Sequence, residues 1–167
     1  PEAFRAPFWC DLAFSPDGRK LLISPHNWAS RGLGGQPLLP ADEAAGDLYL
    51  LDIATGRLDA AHLPNAISSA AWAGDGRIAV GCWDHRVLLL DGALKPIPAL
   101  PEGIGVGAAS LVRSSKDGKR IAVATTAGTV LMLDANGKEL WRTDLNQSAK
   151  PGDKPWTRNQ NPGKVAP

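Results

Sequence analysis

Residues able to do chemistry are few in this chain, and they gather in two stretches. The first is PHNWASRGLGGQPLLPADEAAG, from Pro25 to Gly46, with His26, Trp28 and Arg31 close together. The second is Trp83-Asp84-His85-Arg86. Aromatic, imidazole, carboxylate and guanidinium groups of this kind, carried on loops, suit recognition of a partner. A catalytic set is not visible. The three histidines, His26, His62 and His85, have no metal-ligand spacing, and Cys10 and Cys82 form no pair motif. No Gly-x-Ser-x-Gly elbow is present. The run RGLGG, Arg31 to Gly35, lacks the Lys-Ser/Thr and the strand-helix context of a phosphate loop, so it reads as a flexible stretch. Asp42 and Glu43 are adjacent carboxylates with nothing to fix their separation, so they make no acid/base pair. On these residues no catalytic group, metal site or cofactor is assigned, and binding is favoured over catalysis.

Each candidate also has a purely structural reading. Trp28 would cover one end of the fold. Asp84 would cap a turn, and His85 and Arg86 would be solvated turn residues. Cys82 closes an apolar run and reads as a core thiol.

Composition narrows the partners. The 167 residues carry 18 Lys+Arg against 17 Asp+Glu, a formal charge of +1. No one-sided field exists to attract nucleic acid or an anionic membrane. Hydrophobic residues at 44% and charged residues at 21% are ordinary for a globular chain. No apolar run approaches the ~20 residues of a membrane helix. The sequence starts without Met or a signal-like segment, so it reads as a processed or excised piece.

What must position the candidate residues is a repeat. Asp-Gly occurs at Asp17-Gly18, Asp75-Gly76 and Asp117-Gly118, each followed by a basic residue and an apolar run. Leu-Asp closes a second apolar run at Leu51-Asp52, Leu90-Asp91 and Leu133-Asp134. Units two and three overlay without gaps at an offset of 43, IAVGCWDHRVLLLD on IAVATTAGTVLMLD, with seven identities in fourteen. Unit one carries an insertion of about 18 residues, the Pro25–Gly46 stretch. Each unit predicts four short strands. The Asp-Gly segment is a hairpin turn with glycine in the left-handed position. Leu12 and Phe14 alternate with polar or small residues, as in a half-buried strand. LYLL, VLLL and VLML are apolar at four consecutive positions, so they should be covered on both faces. ATGR and ANGK turn into a fourth, more polar strand. No useful helical period appears.

Four antiparallel strands per ~40 residues, with sheets stacked face to face, is the pattern of a β-propeller blade. The residues also resemble the WD-repeat family. GCWDHRVLLLD is similar to that family's Gly-Ser-x-Asp-x-x-Val run, and SSAAWAGDGR to its Ser-x-Ala-Phe-Ser-Pro-Asp-Gly. His62 sits near the family's Gly-His position, with Ala61 for the Gly, and Leu51, Leu90 and Leu133 stand where its Trp would be. LDANGKELW in unit three resembles quinoprotein blades, with Trp141 as the packing Trp. The expected fold is all-β, a partial β-propeller of about three four-stranded antiparallel blades. They span about residues 8–64, 65–102 and 103–145, with a Pro/Gly-rich linker or surface tail at 146–167. Propellers typically have four to eight blades. Three therefore read as a fragment of a longer propeller, or as part of a ring completed by other chains.

In such a blade the strand two–three connection and the connection to the next blade emerge on one face. The resemblance thus gathers His26, Trp28, Arg31, Trp83, Asp84, His85 and Arg86 on a single loop face. The expected function is a non-catalytic binding or scaffold module that presents this face to a protein or small ligand, with the remaining blades as further partners and no nucleic acid or membrane. The alternative that the quinoprotein resemblance implies is part of a pyrroloquinoline quinone-dependent dehydrogenase or another propeller enzyme.

Overall fold

The computed structural model describes residues 10–25, 46–64, 66–97 and 107–145. Among them the chain is all-β, eleven strands in three antiparallel sheets. The first sheet runs β1 (Cys10–Phe14), β2 (Lys20–Pro25), β3 (Gly46–Asp52) and β4 (Leu58–Leu63). The second runs β5 (Ile67–Trp72), β6 (Ile78–Cys82) and β7 (Val87–Leu90). The third runs β8 (Ala109–Ser114), β9 (Arg120–Thr125), β10 (Thr129–Asp134) and β11 (Glu139–Asp144). Every sheet is a meander, each strand pairing with its sequence neighbour.

The sheets stack, with β5 against β1 and β2 on one side and β8 on the other. Side chains alternate across a strand, so each sheet has two faces. Call the front the face turned toward the next sheet in sequence. The front of the first sheet, Leu22, Leu48 and Leu50, meets the back of the second, Ile78, Val80 and Leu90, in one buried cluster. The front of the second, Ala79, Val87 and Leu89, meets the back of the third, Ile121, Val123, Leu131 and Leu133, in another. The offset of 43 therefore matches packing as well as sequence. Ile78 and Ile121 are both backs, and Ala79 and Ala122 are both fronts.

Polar contacts bind the stack along its inner strands. Asp11 of β1 accepts from the Ser69 hydroxyl of β5 at 2.9 Å. Arg113 of β8 donates to the same hydroxyl at 3.2 Å and lies 3.7 Å from the Asp11 carboxylate. Trp72 Nε1 donates to the Ala13 carbonyl at 3.0 Å. Three strands from three sheets thus share one seam.

Burial follows from this order. β5 and β6 are buried at every position, because the second sheet has a neighbour on each face. After the exposed Arg120, β9 alternates between buried and half-buried, as does β10. The consecutive apolar runs predicted cover on both faces for all three third strands. Among the described residues only VLLL of β7 has it. Leu12 and Phe14 also differ from expectation. Asp11 and Ala13 turn inward, and Leu12 and Phe14 stand 60% and 66% exposed on the back of the first sheet.

Among the described residues the second sheet has three strands. Beyond β7 they show a bridge between Leu90 and Pro96, with the Ile97 N–H donating to the Leu89 carbonyl at 2.8 Å. Proline has no N–H to extend a ladder, which confines it to such an edge.

Asp17, Asp52, Asp91, Asp117 and Asp134 of the repeat prove to be turn formers. Ser15 Oγ donates to Asp17 at 2.6 Å, and Ser115 Oγ donates to Asp117 at 2.6 Å. Gly18 and Gly118 follow at φ 69° in both. Asp91 accepts from the Ala93 and Lys95 N–H groups, and Asp134 from those of Asn136 and Lys138. Asp52 accepts from the Thr55 N–H and hydroxyl. Hydrogen bonds to the charged form hold the carboxyls of Asp17, Asp52, Asp91 and Asp117 below the ordinary 3.8. The donors that matter most are Ser15, Thr55, the Lys95 backbone and Ser115 respectively. A carboxyl lowered in the folded state stabilises fully above its unfolded value and loses that contribution as pH falls through its folded value. Urea midpoints are therefore expected to hold from pH 7 to about 5 and then fall between about pH 4 and 2. The Asp17→Asn/Asp117→Asn variant should fall less steeply, and parallel curves would contradict this account.

Candidate functional site

The β6–β7 turn carries Trp83, Asp84, His85 and Arg86. The Cys82 N–H donates to the Arg86 carbonyl at 2.9 Å and closes it. The Trp83 N–H donates to the Ala66 carbonyl at 3.0 Å, which ties the turn to the segment entering β5. The β9–β10 turn repeats this, with the Thr126 N–H donating to the Ala108 carbonyl at 2.9 Å. In the second and third sheets the turn between second and third strands and the segment entering the sheet thus knit into one end of the stack. Trp83 and Asp84 are half-buried there, and His85 and Arg86 are exposed.

Arg86 Nε sits 3.1 Å from Asp84 Oδ2. A pair this exposed contributes at most about 1 kcal/mol, so its main effect is to place the guanidinium beside the turn. His85 has φ 73°, in the left-handed region, where the equivalent residue of the next unit is Gly128 at φ 82°. A side chain in that region costs about 1–2 kcal/mol, somewhat less for His, Asn or Asp. His85→Gly is expected to stabilise the protein by about 0.5–1 kcal/mol in chemical denaturation, because it relieves that strain. A loss of stability would show that the imidazole makes a compensating contact.

Cys82 lies directly behind this turn and is fully buried. Burial first, then the Asp84 charge, pushes its thiol up to about 12, against a smaller opposing effect of Arg86. It is a core thiol, as its place in the sequence implied. His26, Trp28 and Arg31 lie outside the described residues. Of the seven candidates, then, the structure brings four together in one turn.

A further polar group was not legible in the sequence. Asp47 and His62 face each other across β3 and β4, with His62 Nδ1 2.8 Å from Asp47 Oδ1. The Tyr49 hydroxyl donates to Asp47 Oδ2 at 3.2 Å. Burial, and next the Asp47 charge, raise the Tyr49 phenol above its ordinary value. The pairing depends on the β3–β4 register, which the turn after Asp52 sets. The spacing of the three residues alone does not reveal it. All three stand on the back of the first sheet.

The Asp-Gly turns occupy the opposite end. A hollow of ≈ 680 Å³ there is lined by Ser115, Lys116, Asp117, Lys119 and Arg120, and one of ≈ 350 Å³ by Ser15, Asp17, Lys20, Trp72 and Asp75 among others. Both are wide and shallow, and Asp17 and Asp117 are occupied in shaping their own turns. Among the described residues, no three His, Cys, Asp or Glu side chains are grouped to hold a metal ion. No described helix is long and apolar enough to cross a membrane. In comparison with known proteins, no family model matches the chain, and no curated protein matches it significantly.

Proposed function

We propose that the three sheets are consecutive blades of a β-propeller of the WD-repeat or quinoprotein-like kind, completed by further blades. Its role is that of a non-catalytic binding or scaffold module. The recognition surface is the end that carries Trp83, Asp84, His85 and Arg86, and it takes a protein or a small ligand. The observation that carries this reading is the main-chain tie, in the second and third sheets, of the second–third strand turn to the segment entering the sheet, Trp83 to Ala66 and Thr126 to Ala108. A surface built from turns fixed to the stack is preorganised, so it loses little freedom on binding. The half-buried indole supplies a rigid apolar element, and the imidazole and guanidinium beside it supply polar selectivity.

His85→Ala/Arg86→Glu tests the assignment, with Asp117→Ala/Lys119→Ala at the opposite end as control. All four side chains are exposed, so the changes beyond the Asp117 turn should cost ~0.5 kcal/mol or less each. Immobilised wild-type and variant proteins are compared for the ligands they retain, with circular dichroism as the check on folding. The first variant is expected to lose at least tenfold in recovery of a wild-type ligand, and the control to keep it. Equal recovery by both would place recognition elsewhere.

A further inference from the structure

Among the described residues the stack ends in two faces that no other sheet covers, and they are not alike. The back of the first sheet displays Leu12, Phe14, Leu21, Ile23, Tyr49 and Leu51, and the front of the third displays Leu111, Ala122, Ala124, Val130, Met132 and Trp141. No described sheet covers either one. Leu12 and Phe14 stand 60% and 66% exposed, and Trp141 47%.

The repeat says what each face is shaped for. Ala122, Val130 and Met132 occupy the positions of Ala79, Val87 and Leu89 in the second sheet, which are at most 4% exposed beneath the third. Leu21, Ile23 and Leu51 occupy the positions of Ile121, Val123 and Leu133, which are buried on the second. One open face is therefore a front with no back upon it, and the other a back with no front. Each is complementary to the other, and a single chain carries both.

We infer that the third sheet's front seats the first sheet's back of a second copy of this chain. This rests on reading the sheets as propeller blades, and it names where the further blades come from. A contact of this kind is head-to-tail, which closes into a ring when the rotation permits. Two copies supply six sheets, within the four to eight over which such rings close. The second and third sheets give the atomic register. A Cβ on Gly81 would lie 2.8 Å from Val112 Cγ2. Their equivalents are Ala124 on the open front and Leu12 on the open back. Ala124 of one copy therefore meets Leu12 of the other. Leu12 is not branched at Cβ, which leaves room for the methyl group that Ala124 has and Gly81 lacks.

The test uses the whole chain with Cys10→Ser, because Cys10 is exposed and lies close to Leu12. One preparation carries Leu12→Cys and the other Ala124→Cys. Diamide is added to each alone and to the mixture. The expected result is a disulfide-linked pair in the mixture and at least tenfold less in either alone. Light scattering of the unmodified chain should give the mass of two chains at tens of micromolar, and Met132→Asp/Trp141→Asp, both on the uncovered front, should give one. Circular dichroism shows whether that variant stays folded, and Leu12→Asp/Phe14→Asp on the other face is the second variant. A mass of one chain at every concentration overturns the inference and leaves the loop-end reading standing, since that reading is tested at His85 and Arg86. Linkage in each preparation alone would show like faces meeting and overturns it too. So does association lost on removal of residues 146–167 while Met132→Asp/Trp141→Asp leaves it intact.

Discussion

Ile121→Ala is expected to destabilise the protein by about 2–5 kcal/mol, while Leu21→Ala at the same place in the repeat costs under about 1.5 kcal/mol. Both residues are the first apolar position after an Asp-Gly turn, and both point to the back of their sheet. Ile121 is fully buried beneath Ala79, Val87 and Leu89. Leu21 faces outward and is half-buried. Truncating Ile121 forfeits its transfer free energy and leaves a cavity between two sheets that cannot close without moving strands. Truncating Leu21 removes atoms already partly in water. Against a total stability of about 5–15 kcal/mol, the first change threatens the fold and the second does not. Urea denaturation at submicromolar concentration compares them without interference from association. Equal losses would mean that the sheets do not stack in the order described.

Gly81→Ala is the second large effect, expected to cost about 1–3 kcal/mol although it adds a single methyl group. The added carbon would stand 2.8 Å from Val112 Cγ2 and 3.1 Å from both Ala109 Cβ and Ser68 Oγ. The Ser68 hydroxyl lies 2.9 Å from the Gly81 carbonyl and also bonds the Ala109 carbonyl, so it bridges the second and third sheets. The methyl group would push those sheets apart and loosen that bridge. If the cause is this contact, Gly81→Ala/Val112→Ala should be more stable than the sum of the single changes predicts, by about 0.5–2 kcal/mol. Strict additivity in thermal or urea unfolding would instead trace the loss to the β6 backbone.

The turn chemistry was the most legible part of the sequence, because it is local. Asp17 and Asp117 bond groups within two residues, and Asp91 and Asp134 within four. Such contacts leave a fixed spacing that survives when the rest of the unit diverges. The strand faces were legible only in part. Alternation in β1 separates Leu12 and Phe14 from Asp11 and Ala13, and the usual expectation sends the apolar pair inward. The structure sends Asp11 inward, where Ser69 of the second sheet meets its carboxylate. That partner is 58 residues away, and nothing in the five residues of β1 announces it. At the candidate site, the grouping of Trp83 to Arg86 needed only their adjacency, whereas the Asp47–His62 pair needed a register.

The sequence by itself determined three β units, their Asp-built turns, the charge balance and the cluster at residues 83–86. All of these follow from interactions over a few residues or from a period repeated along the chain. Only the tertiary structure decided which sheet lies between two others, which half of LYLL and of VLML lies on a face that no described sheet covers, and that those two faces are unlike. Position within a stack is not written in the unit. Equivalent residues such as Val87 and Val130 have the same side chain and both lie in third strands, yet Val87 is buried under the third sheet while Val130 is half-buried with no described sheet over it. Burial is a property of neighbours brought from far along the chain, and that is why a repeat can specify its own shape and leave its surroundings to the assembly.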